Sequence, residues 1–175
     1  MSFDAAEFSA RYEQWAKESL SDYQAGTVER IRKTYPYVIS TDVPWTPCEG
    51  NISDKTIALI TSGGLYLKDS QPPFVTGEIH GDPSFRELPR DVHQDDFGIA
   101  HNHYDHSLVM EDINTIFPID RLLELERDGI VGTVASRHYT FSYVNDVVPL
   151  ISTSIPEVIG RLRDDGVDIL FLVPV

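Results

Sequence analysis

Residues 56–64 read TIALITSGG, and this stretch decides the fold class. Its first six residues form a short, apolar run with β-branched side chains, as in a buried strand, and the glycines after it are typical of a tight turn. Residues 97–101 (FGIAH) and 169–173 (ILFLV) have a similar apolar character. Apolar runs without alternation are typical of strands covered on both faces of a parallel sheet. We therefore expect these three strands in one parallel sheet.

Helical patterns alternate with the strands. Phe8, Tyr12 and Trp15 recur at the spacing of one helix face, and three more helices are predicted at residues 28–33, 118–127 and 155–164. This alternation predicts an α/β fold in three layers, a mainly parallel sheet with helices on both faces. Ligands of such sheets bind at the carboxyl ends of the strands. The residues after the three predicted strands are therefore expected to face one crevice.

The chain is predicted to divide into two parts. Residues 1–41 form an N-terminal helical segment, and residues 42–175 form the α/β domain. Within the second part, residues 68–96 are rich in proline and show little periodicity. Ordered loops of this length often carry function, so we expect the loop around Arg86 to close over the crevice.

Composition excludes several classes of partner. The 28 acidic and 14 basic residues give a formal net charge of -14, which repels nucleic acid and anionic lipid alike. No apolar run approaches the roughly 20 residues that span a bilayer, and the N-terminus lacks signal-peptide character. We expect a cytoplasmic protein. The single cysteine, Cys48, is interpreted as a loop thiol, because no adjacent cation lowers its pKa.

The densest chemical signal is the histidine box at residues 101–106, HNHYDH. His101, His103 and His106 are predicted to converge on one divalent metal ion, zinc or iron. Asp105 and His138 are the predicted catalytic residues. The string also satisfies the zinc signature of the metallo-β-lactamase fold, although the α/β pattern disfavours that fold. The alternative is a set of polar histidines at the mouth of a loop.

Four residues are predicted to bind substrate. The turn at Gly63 and Gly64 can present backbone N–H groups to an anion. It lacks the G-x-G-x-x-G spacing, so no nucleotide cofactor is expected. Lys68 and Arg86 are scarce cations in an acidic chain, and a carboxylate substrate needs such a partner.

Several strings, in order along the chain, resemble the B-component family of the glycine, sarcosine, betaine and D-proline reductases. They are TSGG and LK at residues 61–68, QPPF at 71–74, GDPSFR at 81–86, the histidine box, NTIFPID at 114–120, GIVG at 129–132, and HY at 138–139. The resemblance covers about residues 57–175. It implies reductive cleavage of a C–N bond by a selenol or thiol that follows the last apolar strand. Residues 169–173 correspond to that strand, and the sequence given stops at Val175, before that position.

Three functions follow from this comparison. The first is a reductase-family subunit that acts on a small amino-acid-like substrate and depends on a partner subunit for the redox residue. The second is a metal-dependent hydrolase, lyase or redox enzyme that uses the histidine box. The third is a non-catalytic binding or assembly subunit. Homo-oligomerisation is compatible with each.

Overall fold

The computed structural model describes residues 3–39 and 46–175. The predicted boundary between residues 41 and 42 lies outside the described residues. The helices are α1 (Ala5–Gln24), α2 (Val28–Thr34), α3 (Ser107–Glu111), α4 (Ile119–Arg127), α5 (Val147–Pro149) and α6 (Ile155–Asp164). The strands are β1 (Thr56–Thr61), β2 (Leu65–Leu67), β3 (Arg86–Pro89), β4 (Phe97–Ile99), β5 (Thr133–Val134), β6 (Arg137–Thr140) and β7 (Ile169–Val173).

Strand β1 is the centre of the main sheet. Strand β7 pairs with it in parallel from Ile57 to Thr61, and β5 and β6 pair in parallel with its beginning and its end. Strand β3 adds to β6 in the antiparallel direction. The sheet is therefore mostly parallel, as the sequence predicts.

Helices cover both faces of this sheet. Successive side chains of β1 point to opposite sides, and because they are apolar on both sides, each face needs a covering layer. Ile57 and Leu59 belong to a buried cluster that includes Leu122 of α4. Ala58, between them, packs with Val158 of α6 on the other face. The three-layer α/β prediction is confirmed. Full burial of one such aliphatic side chain contributes about 1.5–3 kcal/mol.

The N-terminal helix forms a small core of its own. Helix α1 begins after Asp4, whose side chain accepts hydrogen bonds from the backbone N–H groups of Ala6 and Glu7. The predicted face of Phe8, Tyr12 and Trp15 is buried, and it packs against Ile79 of the proline-rich segment. Aromatic contacts thus hold α1 against the α/β domain.

The prediction that β4 belongs to the parallel sheet is wrong. Strand β4 pairs with β2 in a separate antiparallel two-stranded sheet, with Leu65 opposite Ile99. The turn at Gly64, at a φ of 69°, directs β2 away from β1 and towards β4. The short apolar run was recognised correctly, but its composition does not determine the strand with which it pairs.

No helix among residues 3–39 and 46–175 has both the length and the apolar character needed to span a membrane.

Candidate functional site

A cavity of about 1410 Å³ lies at the carboxyl edge of the main sheet. Its lining includes residues that follow three strands of this sheet: Ser62 after β1, residues 142–145 after β6, and Val175 beyond the end of β7. Residues 101–105 of the histidine box form another side of the cavity. This is the edge at which parallel α/β sheets bind ligands.

The histidine box reaches this edge although β4 belongs to the smaller sheet. The backbone N–H of Ala100 donates to the carbonyl of Gly64, at 2.8 Å, and the Ser142 hydroxyl donates to the carbonyl of Ala100, at 2.7 Å. The Tyr104 hydroxyl donates to the carbonyl of Gly63, at 2.9 Å. These bonds fix the box between the ends of β1 and β6.

His101 is the most enclosed imidazole of the box, with 7% of its surface exposed. Its Nδ1 accepts the backbone N–H of His103, at 3.2 Å, which places the ring proton on Nε2. Burial, with smaller contributions from the neighbouring His103 and His106, lowers the pKa of His101 to about 4. His101 is therefore neutral at pH 7 and serves as a hydrogen-bonding group.

His103 lies against the ring of Tyr143, with 4.1 Å between the ring centroids. Partial burial of its imidazole lowers the pKa of His103, although the residue as a whole is exposed, and burial raises the pKa of Tyr143, so both side chains are uncharged at neutral pH. Asn102 and Asn145 line the cavity beside them. We call His101, Asn102, His103 and Asn145 the polar wall.

The three histidines of the box do not converge as metal ligands. The Nε2 of His106 donates to the carbonyl of His101, at 2.7 Å, and His106 is not among the residues that line the cavity. Within the described ranges, no group of three or more His, Cys, Asp or Glu side chains is arranged to hold a metal ion. The zinc or iron site thus gains no support from this geometry and stays a prediction.

The glycine turn is buried and its donors are used within the fold. The N–H of Gly63 donates to the Thr61 hydroxyl at 3.1 Å, and the N–H of Gly64 donates to the carbonyl of Phe141 at 2.8 Å. In this arrangement neither amide is directed at an anion in the cavity. The turn positions the histidine box instead.

The two predicted catalytic residues lie in different places. Asp105 is exposed at the rim of the cavity, where a hydrogen bond from the Ser107 backbone lowers the pKa of its carboxyl group. His138 is fully buried in β6, and its Nδ1 accepts the backbone N–H of Leu59, at 3.0 Å. His138 is not part of the cavity lining. The structure therefore brings Asp105, but not His138, to the histidine box.

The predicted substrate-binding cations are both away from the cavity lining. The exposed Lys68 donates to the carbonyl of Asp95, at 3.0 Å. Arg86 donates to the carbonyl of Pro72, at 2.9 Å, and stacks on the ring of Phe74. Arg86 thus anchors the proline-rich loop, whose residues 76–79 line the cavity.

Sequence reasoning missed the contribution of the N-terminal helices. The helical segment forms one side of the cavity, which we call the N-terminal wall. Its five residues are Leu20 and Tyr23 of α1, Ile31 of α2, and Tyr35 and Tyr37, which follow α2. The spacing of Leu20 and Tyr23 is that of one helix face, and nothing in it indicates that this face meets a strand edge far away in the sequence.

A cation in the cavity was also missed. Among the described residues that line it, Arg32 of α2 is the one lysine or arginine. Arg32 stands in a run of charged residues, RIRK at 30–33, which on sequence alone indicates a solvated helix face. Its position could be recognised only once α2 was placed against the sheet.

Comparisons with known proteins agree with the resemblance. The family model described as glycine/sarcosine/betaine reductase selenoprotein B matches residues 28–174. The D-proline reductase subunit gamma of Acetoanaerobium sticklandii is 33% identical over 148 residues, which is 83% of this chain and 60% of that protein. The sarcosine reductase complex component B subunit beta of Peptoclostridium acidaminophilum is 28% identical over 109 residues, 62% of this chain and 25% of the relative.

A glycine reductase complex component B subunit gamma, from Carboxydothermus hydrogenoformans, is 28% identical over 132 residues, which covers 74% of this chain and 30% of the relative. The chain therefore spans less than two thirds of the length of each of these relatives. No solved structure matches significantly.

Proposed function

Because the chain belongs to the glycine/sarcosine/betaine reductase selenoprotein B family, we propose that it is a reductase subunit that binds a small amino-acid-like substrate in the cavity. The observation that supports this most strongly is the position of the cavity, at the carboxyl ends of β1, β6 and β7 and lined by His101 and His103. Uncharged imidazoles can orient a substrate by hydrogen bonds without repelling its ammonium group.

Arg32 is the proposed partner of the substrate carboxylate. It is the cation of the cavity lining, and a guanidinium group pairs with a carboxylate through two parallel hydrogen bonds. With the carboxylate at Arg32, the C–N bond of the substrate lies towards the polar wall. The unprotonated ring nitrogen of His103 then accepts a hydrogen bond from the ammonium group, and the Nε2–H of His101 donates to an oxygen of the substrate.

In the step that breaks the C–N bond, a thiolate or selenolate forms a bond to the α-carbon, and the electrons of the C–N bond pass to the amine nitrogen, which takes up a proton. A second thiol then attacks the sulfur or selenium of this adduct, so that a disulfide or selenenylsulfide forms and the α-carbon is released with a proton; the thiol and selenol groups thereby supply the two reducing electrons. Cys48, the single cysteine of the sequence, is exposed and does not line the cavity. We assign the nucleophile to a partner subunit. The names of the relatives, which are subunits or complex components of reductases, support a multi-component assembly.

Calorimetric titration with D-proline, sarcosine and glycine tests this assignment. Replacing Arg32 by Gln removes a charged hydrogen-bonding partner worth about 1.5–3 kcal/mol, so affinity is expected to fall roughly 10- to 100-fold. Arg30→Gln is the matched control, because Arg30 lies on the same helix but pairs with Asp22, at 3.3 Å. Equal losses in both variants, or no binding to the unaltered protein, would contradict the proposal.

A further inference from the structure

We infer that the free edge of strand β7 pairs with the same strand of a second copy of this chain. The two strands run antiparallel about a two-fold axis, so the two main sheets join into one. This interaction surface lies apart from the residues proposed to bind substrate, and the inference therefore goes beyond the proposed function.

Strand β7 is an apolar edge strand without the usual protection. It pairs with β1 on one side, and no strand within residues 3–39 and 46–175 pairs with its other side. Leu170, Phe171 and Leu172 are 39%, 47% and 60% exposed. Edge strands commonly carry a charge or a proline that prevents pairing with another chain. Residues 169–173 contain neither, so β7 is a template for a further strand.

The backbone of β7 offers hydrogen-bonding groups at this edge. The N–H of Ser62 donates to the carbonyl of Val173, at 3.2 Å, so Val173 and every second residue before it face β1. The N–H and C=O groups of Leu170 and Leu172 therefore point to the free edge. Antiparallel pairing centred on Phe171 places Leu170 opposite Leu172 of the second copy, and each such pair exchanges two hydrogen bonds.

Helix α6 extends the apolar surface past β7. Arg161 contacts Glu87 of β3, with 2.7 Å between Nη1 and Oε2, and so marks the flank of α6 on the β3 side of the sheet. Ile159 lies two residues before Arg161, a rotation of about 200° around the helix axis, and projects from the opposite flank, on the β7 side. Ile155 lies one turn earlier on that flank. Both isoleucines are partly exposed, and a strand added beside β7 lies beneath them.

Charge favours the two-fold arrangement. Asp168 precedes β7, and antiparallel pairing places it opposite Pro174 of the second copy. The two Asp168 carboxylates are then separated by the length of six strand residues, about 20 Å, which exceeds the Debye length of about 8 Å. A parallel arrangement instead sets them side by side. The net charge of -14 opposes association in general, but the pairing residues 169–173 are uncharged.

The surface is large enough for a closed dimer. The exposed apolar side chains of β7 and of the outer flank of α6 amount to an area on the order of 1,000 Å² in two copies, which reaches the size of specific interfaces. Two-fold pairing uses the same edge in both copies and leaves none free. Because the strands run in opposite directions, the two cavities lie at opposite edges of the joined sheet.

Sedimentation velocity of the purified chain tests this inference. The unaltered protein is expected to sediment as a dimer of twice 19.7 kDa. Leu172→Lys places an unpaired charge in the joined sheet and is expected to give a monomer. Ile52→Lys is the matched control, because Ile52 is also exposed but its carbonyl accepts the N–H of Gly132, beside β5 and across β1 from β7. This variant is expected to remain a dimer. Circular dichroism and melting temperatures verify folding.

Disulfide trapping tests the register of the pairing. In a Cys48→Ser background, Phe171→Cys places two thiols across the two-fold axis. The Cα atoms of such a pair are about 4.5 Å apart, within the range that a disulfide bridges. Mild oxidation is therefore expected to cross-link two copies. Ile52→Cys in the same background is expected to stay uncross-linked.

A monomer in Leu172→Lys, a dimer in the control and a cross-link through residue 171 support the inference. An unaltered protein that stays monomeric at micromolar concentration would overturn it and leave the edge of β7 to a different polypeptide. A dimer that persists in Leu172→Lys, or that does not cross-link at residue 171, would also overturn it, because the two copies then meet elsewhere. Open-ended assemblies would contradict the two-fold closure.

Discussion

His101 and His138 have similar electrostatics in very different surroundings. Burial lowers the pKa of each imidazole to about 4. His138 lies in the core beside Phe117, with 5.8 Å between ring centroids, whereas His101 borders the cavity. A lowered pKa therefore does not by itself identify a functional histidine in this chain. The two residues differ in access to the cavity, because His101 lines it and His138 does not. Variants of the two histidines can therefore distinguish a role in stability from a role in binding.

The largest expected effect is the loss of stability on replacing His138, the histidine of the core. His138→Ala leaves the backbone N–H of Leu59 without its acceptor and opens a void beside Phe117. The expected loss is about 3–5 kcal/mol in the free energy of unfolding. Urea denaturation measures it. His103→Ala is the contrasting variant, with an expected cost of less than about 1 kcal/mol, because His103 is exposed. Equal losses of unfolding free energy in His138→Ala and His103→Ala would contradict the different roles of the two histidines.

Acid should destabilise the protein through both enclosed histidines. Their pKa is lowered from 6.5 to about 4 in the folded state, so the unfolded chain binds more protons between these values. The free energy of unfolding is therefore highest above about pH 6.5, where both imidazoles are neutral in the folded and the unfolded state, and it declines as the pH falls towards 4. The expected slope is about 1.4 kcal/mol per pH unit for each histidine.

Replacing one histidine should lower that slope. Urea unfolding at several pH values on the His138→Asn variant is expected to show a dependence that is smaller by about 1.4 kcal/mol per pH unit between pH 6.5 and 4. The asparagine carbonyl can still accept the N–H of Leu59, so the variant should remain folded. A slope that does not change on this replacement would show that His138 is not among the groups that titrate in this range.

The smallest expected effects concern the two predicted substrate-binding cations. Arg86→Ala removes hydrogen bonds to the carbonyls of Pro72 and Phe85 and the stacking on Phe74, with an expected cost of about 2 kcal/mol. Lys68→Ala, at an exposed site, is expected to cost less than about 0.5 kcal/mol. Thermal unfolding compares the two variants. A similar shift in melting temperature for both would contradict the anchoring role of Arg86.

The elements of the fold were largely predictable because their signals are local. The apolar run of β1, its β-branched residues and the following glycines define a buried strand, and residues 155–164 form a helix with the predicted bounds. The pairing of β4 with β2 was not predictable, since it depends on the direction in which the chain leaves Gly64. Composition identifies a strand but not its neighbour.

The candidate site was predictable only in part, for a related reason. The histidine box was expected at a crevice, and His101 and His103 line one. The convergence of the three histidines on a metal could not be judged from their spacing, because it depends on the bond from His106 to the carbonyl of His101. Arg32 and the N-terminal wall reach the cavity through the packing of α1 and α2, which no local motif encodes.

In the proposed complex the substrate contacts the polar wall and not His138 of the core. Nitrogen-15 NMR of the imidazole rings during titration with D-proline tests it most directly, because each histidine reports its own surroundings. The resonances of His101 and His103 are expected to move as the cavity fills, while those of His138 stay in place. Movement of His138 alone, or movement of none of the three at saturating D-proline, would contradict it.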